Sequence, residues 1–445
     1  MFFAPTGRRF HTGLDAGKLP ARKITFIAFG TRGDVQPIVA LGKALHARGH
    51  QVRLIASANF TAWIQQHGLD AVAANVDIQA MMMGEGGHEW IEHGNDPLRQ
   101  TRVMKRLIDQ HGLTMMRDAW RACQDAEVVV SSFTSDVYAV SIAEKLRAKH
   151  ISTPLQPTLV ATRSGMATMN APLPNRVSLV NYLFGKILIE PYGWRLMGAI
   201  NNRFRQETLG LPPQSYRENR RGLHRMLVVQ GYSAHVVPQP HDWPANIHTA
   251  GYWFLDEDRA WQAPQELLEF IHTGEPPVYV GFGSMTGRNP RALTDTIVQA
   301  VAQSGQRAIL QAGWAGMGDT ELPPGIFLLD AAPHSWLFPR MRAVVHHGGA
   351  GTTAESLRAG VPMVIVPHLA DQPFWGARVA ALGVGPQPIP RNRLTAENLA
   401  AAIRQATTEP AMRDRATELG ATIRAEDGIG AAADVIEAYL GKEDS

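Results

Sequence analysis

The segment that most constrains the fold of this chain runs from His346 to Gln372. An apolar run, Ala343–Val345, enters a turn of sequence His-His-Gly-Gly-Ala-Gly-Thr-Thr, and helix-forming residues follow as far as Gly360 and Pro362. Glycine and proline commonly stop helices, and a second apolar run begins here. The pattern predicts a strand, a turn, a helix and another strand in succession.

A glycine-rich turn that opens a helix is suited to bind an anion, because its backbone N–H groups point outward at the positive end of the helix dipole. His347 adds a donor beside such an anion. Asp371 and Gln372 come just after the next strand, where polar groups can hold a sugar. The glycines alone fit an ordinary strand-to-helix turn equally well. The complete set of residues is far more specific.

The start of the chain repeats this pattern. Ile24–Phe29 is a short apolar run that ends at a turn containing two glycines, Val35–Ala47 fits an amphipathic helix, and Gln51–Ser57 is the next strand. Strands that alternate with helices predict an α/β fold with a parallel, doubly wound sheet, whose ligands lie at the carboxyl ends of the strands. The first turn, which ends at Asp34, is therefore a second candidate site.

Two roles suit Asp34. Aspartate is a favoured helix N-cap, and Pro37 would then fall in the first turn, where its missing N–H costs little. Alternatively, a carboxylate at the end of a strand can accept a proton from a hydroxyl group. The local sequence by itself favours the cap.

Size and composition narrow the class of protein. A chain of 445 residues with 45% hydrophobic content fits two domains. The net charge of +3 is scattered, which gives little support to a nucleic-acid partner. The single cysteine, Cys123, excludes an intramolecular disulfide and suits a cytoplasmic protein. Without a long apolar run, the sequence predicts neither a transmembrane helix nor a signal peptide.

Two stretches of the first half allow more than one interpretation. Residues 78–113 are irregular and rich in Met, Gly and His, which favours either a mobile loop that adapts to an apolar acceptor or a plain surface loop. Asn175–Leu211 is more apolar than a one-sided surface helix. It is either buried core or the wall of an acceptor cleft that also touches a membrane surface, aided by Arg176 and Lys186.

Several separated blocks together resemble one family. They are the run from His346 to Thr353, the block Asp371–Gly376 (Asp-Gln-Pro-Phe-Trp-Gly), the run Gly30–Pro37 (Gly-Thr-Arg-Gly-Asp-Val-Gln-Pro), and Pro333–Phe338 (Pro-His-Ser-Trp-Leu-Phe). These blocks resemble the inverting, nucleotide-sugar-dependent glycosyltransferases of the two-Rossmann-domain (GT-B) type. Within that group the likeness is to the sterol 3-beta-glucosyltransferases and their bacterial relatives, and it covers Lys23–Leu440.

The resemblance implies two facing Rossmann-like domains with parallel sheets, an interdomain cleft, and a C-terminal helix that crosses back to the first domain. Helices are expected over Leu394–Ala406 and Ala416–Leu440. The predicted division is a loosely ordered leader (1–22), an N-terminal acceptor-binding domain (23–240), a linker (241–263), a C-terminal nucleotide-sugar domain (264–425) and the crossing helix (426–445).

The function that the resemblance implies is transfer of a hexose, glucose from UDP-glucose, to a hydroxyl of a lipophilic acceptor such as a sterol. Asp34 would be the catalytic base, because bacterial antibiotic glycosyltransferases have an Asp where plant relatives have a His. Those plant enzymes pair the His with a carboxylate, but the matching segment here is Ser131-Ser132-Phe133, so no such dyad is expected, although Asp136 lies nearby.

The resemblance also implies how the donor is held. His347, Gly351 and Thr352 would bind the diphosphate, Glu355 the ribose, and Asp371 with Gln372 the sugar hydroxyls. Ser284 would face the phosphates and His334 the base or ribose. The complete set of donor-binding candidates is Thr31, Arg32, Ser284, Trp314, His334, His347, Ala350, Gly351, Thr352, Glu355, Asp371 and Gln372.

No metal and no cofactor beyond the nucleotide-sugar co-substrate is expected. Three alternatives stay open. They are a glycosyltransferase with another donor, such as a rhamnose nucleotide, acting on a glycolipid, a flavonoid or a macrolide; a non-catalytic protein that binds a nucleotide sugar or a lipid; and a sugar-nucleotide epimerase on the same fold. The expected partners are a nucleotide sugar and a lipophilic small molecule, with peripheral contact to a membrane.

Overall fold

Two parallel β-sheets form the framework of the molecule. The computed structural model describes residues 20–92, 96–133, 135–164, 178–256, 261–283, 290–311 and 322–442. Within these ranges one sheet has seven strands and the other has five, and every strand pair is parallel. The predicted α/β architecture with two Rossmann-like domains is confirmed.

The first sheet is built from short apolar runs that are buried on both sides, as is usual for parallel strands. Its strands, in chain order, are β1 (Lys23–Ile27), β2 (Gln51–Ser57), β3 (Asp70–Ala74), β4 (Val128–Ser131), β5 (Lys149–Ser152), β6 (Leu227–Gln230) and β7 (Ile247–Thr249). The spatial order is β3-β2-β1-β4-β5-β6-β7. The order reverses between β1 and β4, and the crevice at such a switch point is where ligands bind.

The second sheet follows the same plan. Its strands are β8 (Val278–Gly281), β9 (Ala308–Gln311), β10 (Ile326–Leu329), β11 (Ala343–His346) and β12 (Met363–Ile365). The order β10-β9-β8-β11-β12 places its switch point between β8 and β11. His346 ends β11 opposite Gly281 of β8, so the residues after His346 lie at this switch point.

Helices cover both faces of the sheets. In the first domain they are α1 (Arg32–Ala47), α2 (Ala58–Gln66), α3 (Ile78–Met83), α4 (Glu85–Glu92), α5 (Pro97–Ala122), α6 (Asp136–Leu146), α7 (Leu179–Phe184), α8 (Tyr192–Phe204) and α9 (Tyr216–Arg225). In the rest of the chain they are α10 (Gln265–His272), α11 (Pro290–Ser304), α12 (His334–Leu337), α13 (Ala350–Ala359), α14 (Gln372–Leu382), α15 (Ala396–Thr408), α16 (Pro410–Arg424) and α17 (Gly428–Leu440).

The prediction of an irregular segment over residues 78–113 is wrong for its described part. The helices α3 and α4 lie there, and α5 continues to Ala122. Asp96 caps α5, because its carboxylate accepts hydrogen bonds from the backbone N–H groups of Leu98 and Arg99. Met, Gly and His therefore marked short helices here and not a plain loop.

The C-terminal region holds two helices where the sequence predicted one. The helix expected over Ala416–Leu440 is interrupted between Arg424 and Gly428, so α16 ends and α17 begins. The side chains of Ile436 and Leu440 on α17 are buried in the apolar core around the first sheet. The indole of Trp253 fixes the start of α17 by donating to the Gly428 carbonyl at 3.1 Å. The predicted crossing of the last helix to the first domain is confirmed.

The apolar stretch after residue 178 divides into a buried and an exposed part. Leu196 and Ile200 of α8 are buried, as the core interpretation predicts. On α7 and the following π-helical turn Gly185–Ile189, by contrast, the apolar side chains lie open to solvent. Their exposed fractions are Leu179 58%, Val180 65%, Leu183 48%, Ile187 60% and Leu188 43%. The interpretation of the whole stretch as core is therefore wrong.

Among the helices of the described ranges, none combines the length and the apolar composition needed to span a membrane.

Candidate active site

Asp34 lies in the turn after β1, at the switch point of the first sheet. The N-cap of α1 is Thr31, and Asp34 occupies the third helical position, where its Oδ2 accepts hydrogen bonds from Thr31 N (2.8 Å) and Thr31 Oγ1 (3.0 Å). The prediction that Asp34 is the N-cap is wrong: it is the far half of a capping box. Pro37 lies inside α1, beyond the first turn.

The surroundings of Asp34 favour a group that can take up a proton. The side chain is exposed to the cleft, and the surrounding protein atoms remove part of its hydration. This loss of hydration raises the pKa of the Asp34 carboxyl above its usual value, although the two hydrogen bonds from Thr31 act in the opposite direction. Both of these hydrogen bonds go to Oδ2, so the other carboxylate oxygen, Oδ1, can face a ligand.

The helix α13 begins at the switch point of the second sheet, as the sequence predicts. Gly349 is its N-cap and has no capping side chain, so the first N–H groups of α13, including those of Ala350 and Gly351, face outward. A β-carbon on Gly351 would lie 3.5 Å from the Cα of Gly33 in α1. The positive ends of two helices therefore meet across the cleft, and an anion between them would stabilise both.

His347 lies beside the N-terminus of α13. A β-carbon on Gly349 would come within 2.5 Å of His347 Nε2, so only glycine leaves space for the ring in this position. Burial lowers the pKa of His347 to about 4, so the imidazole is neutral at physiological pH and can donate one hydrogen bond. A neutral donor next to unpaired backbone N–H groups suits a diphosphate.

A side chain of α14 holds Asp371 in place. The indole Nε1 of Trp375 donates to Asp371 Oδ2 at 2.7 Å. Burial raises the pKa of the Asp371 carboxyl to about 6, the bond from Trp375 lowers it, and the charge of Asp34 raises it further. The two carboxyls, one in each domain, are therefore coupled by their charges across the cleft.

Gln372 builds the turn that precedes α14. Its Oε1 accepts hydrogen bonds from the backbone N–H groups of His368 (2.7 Å) and Leu369 (3.0 Å). The side-chain amide N–H₂ is the group left to bind a hydroxyl. In the same turn Ala370 has a φ of +55°, a left-handed conformation that is strained for a residue with a side chain. Such strain in a turn that presents polar groups is typical of a binding site.

His334 and Arg32 lie in the same part of the cleft as His347. The His334 ring stacks on Phe338 with centroids 4.3 Å apart. Burial lowers the pKa of His334 to about 4, and the charges of Arg32 and His347 lower it further. The guanidinium of Arg32 lies over the ring of Trp63, 4.9 Å from its centroid.

Glu355 already has a partner. Its carboxylate lies 3.0 Å from Arg358 NH2, and Arg358 NH1 lies 2.8 Å from Asp256. A ribose contact by Glu355 would compete with this pair and stays a prediction. Thr352 is half-buried in the first turn of α13, where the anion role predicted for it requires it to be. Ser284 and Trp314 lie outside the described residues.

Asp136 takes part in a separate, buried network of hydrogen bonds. Its carboxylate accepts hydrogen bonds from Ser131 Oγ (2.5 Å) and Ser152 Oγ (2.9 Å), and Ser131 Oγ also contacts His150 Nε2 at 2.7 Å. Burial raises the pKa of Asp136 to about 6. Both oxygens of Asp136 are thus occupied by serine hydroxyls.

Two site residues were not assigned a role from the sequence. Trp375 supports Asp371, and its signal was the four-residue spacing that places both on one face of a helix. His368 is buried in the turn before Asp371, where its Nδ1 lies 2.8 Å from the Val366 carbonyl and its ring packs on Phe282. The signal for His368 was its position just after a buried strand. Within the described ranges, His, Cys, Asp and Glu side chains form no group of three that could hold a metal ion.

Both halves of the chain match family models. Residues 24–149 match the glycosyltransferase family 28 N-terminal domain. Residues 297–432 match the C-terminal domain of the erythromycin biosynthesis protein CIII-like family.

Solved structures share the fold. The chain superimposes on a calicheamicin glycosyltransferase with a TM-score of 0.68 at 18% identity, over 96% of this chain and 100% of the other. The glycosyltransferase of kitacinnamycin gives a TM-score of 0.67 at 20% identity, over 94% and 98% of the two chains. At these identities the likeness shows the fold alone.

Relatives with higher sequence identity show more than the fold. A sterol 3-beta-glucosyltransferase of Neosartorya fischeri is 36% identical over 93% of this chain, which corresponds to 29% of the relative's length. A sterol 3-beta-glucosyltransferase of Arabidopsis thaliana is 35% identical over 96% of this chain and 69% of its own length. The chain thus spans under a third of the fungal protein and about two thirds of the plant protein. From the extent of the plant match, the chain belongs to the family of sterol 3-beta-glucosyltransferases.

Proposed function

We propose that this protein transfers glucose from UDP-glucose to the hydroxyl of a sterol or a similar lipophilic molecule. The observation that carries the proposal is the approach of two helix N-termini across the cleft, at Gly33 and Gly351, with Asp34 on one side and Asp371 on the other. One side offers a base and the other offers donors for an anion and a sugar. The relatives named as sterol 3-beta-glucosyltransferases supply the choice of acceptor and of glucose.

The proposed reaction is a single displacement. The acceptor oxygen attacks the anomeric carbon, its proton passes to Asp34, and the bond from the anomeric carbon to the diphosphate oxygen breaks with its electron pair on the diphosphate. Attack from the side opposite the leaving group inverts the anomeric configuration. A base whose pKa is raised toward the working pH is better suited to accept this proton than an ordinary carboxylate.

Charge builds on the departing diphosphate, and the second domain is arranged to stabilise it. The N-terminus of α13 and the neutral imidazole of His347 are in place before the reaction, so they stabilise the transition state more than the ground state. Asp371 and Gln372 orient the hexose. Closure of the two domains would exclude water, which otherwise hydrolyses the donor.

We assign this charge stabilisation to the protein and not to a metal ion. The sequence does contain an Asp-x-Asp pair, Asp256 and Asp258, but Asp256 is engaged in an ion pair with Arg358, and Asp258 lies outside the described residues. Activity that persists unchanged in excess EDTA would support the assignment. Activity that is lost in EDTA and restored by Mg²⁺ would overturn it.

The test of the function is direct. The protein is incubated with UDP-glucose and a mixture of sterols, flavonoids and macrolides, and acceptors heavier by one hexose are identified by mass spectrometry. A β-glucoside formed from the α-linked donor would confirm inversion. A panel of other nucleotide sugars tests the alternative donors. If the protein binds UDP-glucose but forms no product with any donor and acceptor, the catalytic proposal is wrong and a binding protein is left.

We further propose that the protein meets its acceptor at an anionic membrane surface on the cytoplasmic side. The apolar side chains exposed on α7 and the next turn form one patch, which includes Leu183 and Ile187. Glu190 links this patch to α9 through Arg220 at 3.1 Å. The exposed residues Arg217, Arg221 and Arg225 recur at every fourth position of α9, so they share one face. Apolar side chains beside a row of arginines fit acyl chains beside anionic headgroups.

Cosedimentation with lipid vesicles tests this surface. Binding should be stronger to vesicles with phosphatidylserine than to pure phosphatidylcholine, and salt should weaken it. Ile187→Ser should reduce binding several-fold, whereas Leu98→Ser, which changes an apolar side chain 71% exposed on α5, should not. Equal binding by wild type and Ile187→Ser would show that the patch has another partner.

A further inference from the structure

Trp375 joins two features of the molecule that are far apart in sequence. Its side chain is fully buried, and its indole N–H donates a hydrogen bond to Asp371 Oδ2 at 2.7 Å. A buried indole usually finds an acceptor within the core, such as a backbone carbonyl. Here the acceptor is a carboxylate at the wall of the cleft, which the proposed function assigns to the donor sugar.

The ring of Trp375 also packs on the first domain. Its ring meets Tyr232 edge to face, with centroids 6.3 Å apart and an interplanar angle of 72°. One turn further along α14, Arg378 donates to the Val236 carbonyl through Nε at 2.9 Å and NH2 at 2.6 Å. The helix that begins beside Asp371 is thus attached to the segment 232–237, which follows the first-domain strand β6.

This segment also contacts the point where the chain returns to the first domain. Ser233 Oγ donates to Glu426 Oε1 at 2.7 Å, and Glu426 stands in the break between α16 and α17. Gly251 and Gly428 approach so closely there that a β-carbon on Gly251 would lie 2.9 Å from Gly428 Cα. The support of Asp371 therefore runs from the sugar side of the cleft to the break between α16 and α17, where the chain returns to the first domain.

We propose that Trp375 is a positioning residue for the donor hexose: it fixes Asp371 Oδ2 so that Oδ1 faces the sugar, and it links this orientation to the first domain through Tyr232. The proposal rests on the proposed function only in taking the ligand to be a nucleotide sugar. It separates the roles of the two parts of the donor. Trp375 acts on the sugar, while the nucleotide diphosphate is held by α13 and His347.

The hydrogen bond from Trp375 also keeps Asp371 able to accept. Both burial and the charge of Asp34 favour the protonated carboxyl, and the indole N–H opposes them, with a smaller contribution from the backbone N–H of Asp371. An ionised Asp371 can accept hydrogen bonds from two sugar hydroxyls, whereas a protonated one loses part of this capacity. Removal of the indole N–H should therefore weaken sugar binding and raise the pH at which it fails.

The test compares the affinities for UDP-glucose and UDP by calorimetry, which needs no acceptor and no turnover. Trp375→Phe should lose roughly tenfold in affinity for UDP-glucose and keep its affinity for UDP, as expected when a hydrogen bond to a charged group is lost. The pH below which UDP-glucose binding weakens should also rise. Failure of the glycosyl-transfer proposal would leave this result intact, so the two outcomes are distinguishable.

Matched variants separate positioning from packing. Trp243 is also buried, and its indole donates to the Val160 carbonyl at 3.1 Å away from the cleft, so Trp243→Phe should leave the ratio of the two affinities unchanged. Tyr232→Phe keeps the ring against Trp375 and should behave like wild type, whereas Tyr232→Leu should lose about threefold in UDP-glucose affinity, a fraction of the loss for a hydrogen bond to a charged group. An unchanged ratio in folded Trp375→Phe would overturn the proposal.

If Trp375→Phe does not fold, the wild-type protein gives the answer. The ¹⁵N–¹H signal of the Trp375 indole should move on addition of UDP-glucose but not of UDP, and in the free protein it should titrate with Asp371. An indole signal that is insensitive to both the sugar and the pH would overturn the assignment.

Discussion

Gly30 and Asp34 are packed so closely that a β-carbon on Gly30 would lie 2.4 Å from Asp34 Oδ2. No real β-carbon approaches an oxygen to this distance, so the carboxylate can occupy its position only because residue 30 is a glycine. Thr31 holds the same oxygen from the other side, with two hydrogen bonds. The orientation of Asp34 is thus fixed by its immediate neighbours in the turn.

Gly30→Ala should displace the Asp34 carboxylate and reduce kcat by about 10²-fold, the effect of a misplacement of about 1 Å in a catalytic group. The affinity for UDP should be unchanged. Gly49→Ala is the control, because Gly49 also has a positive φ, +100°, but a β-carbon there would meet nothing within 4 Å. Both variants carry backbone strain, and only Gly30→Ala touches the base. Equal kcat values for the two variants would contradict this assignment.

Asp34→Asn distinguishes a catalytic role of Asp34 as the base from a structural role in the helix cap. The amide keeps an oxygen that can accept from Thr31, so the melting temperature and the affinity for UDP should be close to those of wild type. Loss of the proton acceptor should lower kcat by about 10²–10⁴-fold. Steady-state kinetics, calorimetry and thermal melts of the same preparation measure all three quantities.

The matched control for Asp34 is Glu218. It closes the same type of capping box in α9, where Ser215 N donates to Glu218 Oε2 at 2.6 Å. Glu218→Gln should cost at most about 1 kcal/mol of stability and leave kcat unchanged. If Asp34→Asn loses stability like a cap but keeps its turnover, Asp34 is a structural residue.

Much of the framework could be predicted from the sequence, because parallel strands buried on both faces are continuous apolar runs. The strand Gln51–Ser57 was predicted with the bounds that the structure shows. The start of α1 was misplaced because Thr31, three residues before Asp34, was not recognised as the first member of a capping box. The exposure of Leu183 and Ile187 could not be predicted either, since composition does not show which face a neighbouring element covers.

The candidate site shows the same division. Each half could be predicted alone, because glycine turns after strands are local patterns. The meeting of Gly33 with Gly351 and the influence of Asp34 on Asp371 depend on how the domains face each other, and no local pattern encodes that. The hydrogen bond from Trp375 to Asp371 was encoded locally, in a four-residue helical spacing.

The activity should depend on two carboxyl groups whose pKa values are raised. Asp34 works as a base and Asp371 as an acceptor, so both must be ionised. The pKa of Asp34 is raised and that of Asp371 is about 6, so kcat/KM should fall as the pH drops through the pKa of Asp371. The fall on the acid side of the pH–rate profile reflects the two coupled carboxyls together and not one residue. His347, with a pKa of about 4, stays neutral over this range and adds no further limb above pH 5.

Rate profiles between pH 4.5 and 8 at constant ionic strength check this expectation. Asp371→Asn should show a weaker affinity for UDP-glucose, with the part of the acid limb due to Asp371 removed and the part due to Asp34 kept. A wild-type profile that is flat down to pH 5 would be inconsistent with raised pKa values at either carboxyl.

The protonation of Asp136 should change the free energy of unfolding and not the rate of proton transfer. Its pKa is raised from 3.8 to about 6 by burial, so the folded state favours the protonated form. The stabilisation from this proton is complete below pH 3.8 and is lost as the pH rises through about 6. At pH 7.5 the folded protein therefore holds a buried charge whose donors, among the described residues, are Ser131 and Ser152.

Asp136→Asn removes that charge and keeps an oxygen that can accept from a serine. Its free energy of unfolding should exceed that of wild type by about 1–2 kcal/mol at pH 7.5, and the gain should vanish at pH 4.5. Urea denaturation at the two pH values measures the difference. Asp295→Asn, on the exposed face of α11, should give the same small change at both pH values.

Ser152→Ala removes one of the donors that lower the pKa of Asp136, so it should move the loss of stability to higher pH. A gain for Asp136→Asn that is independent of pH would show that Asp136 does not titrate in the folded protein.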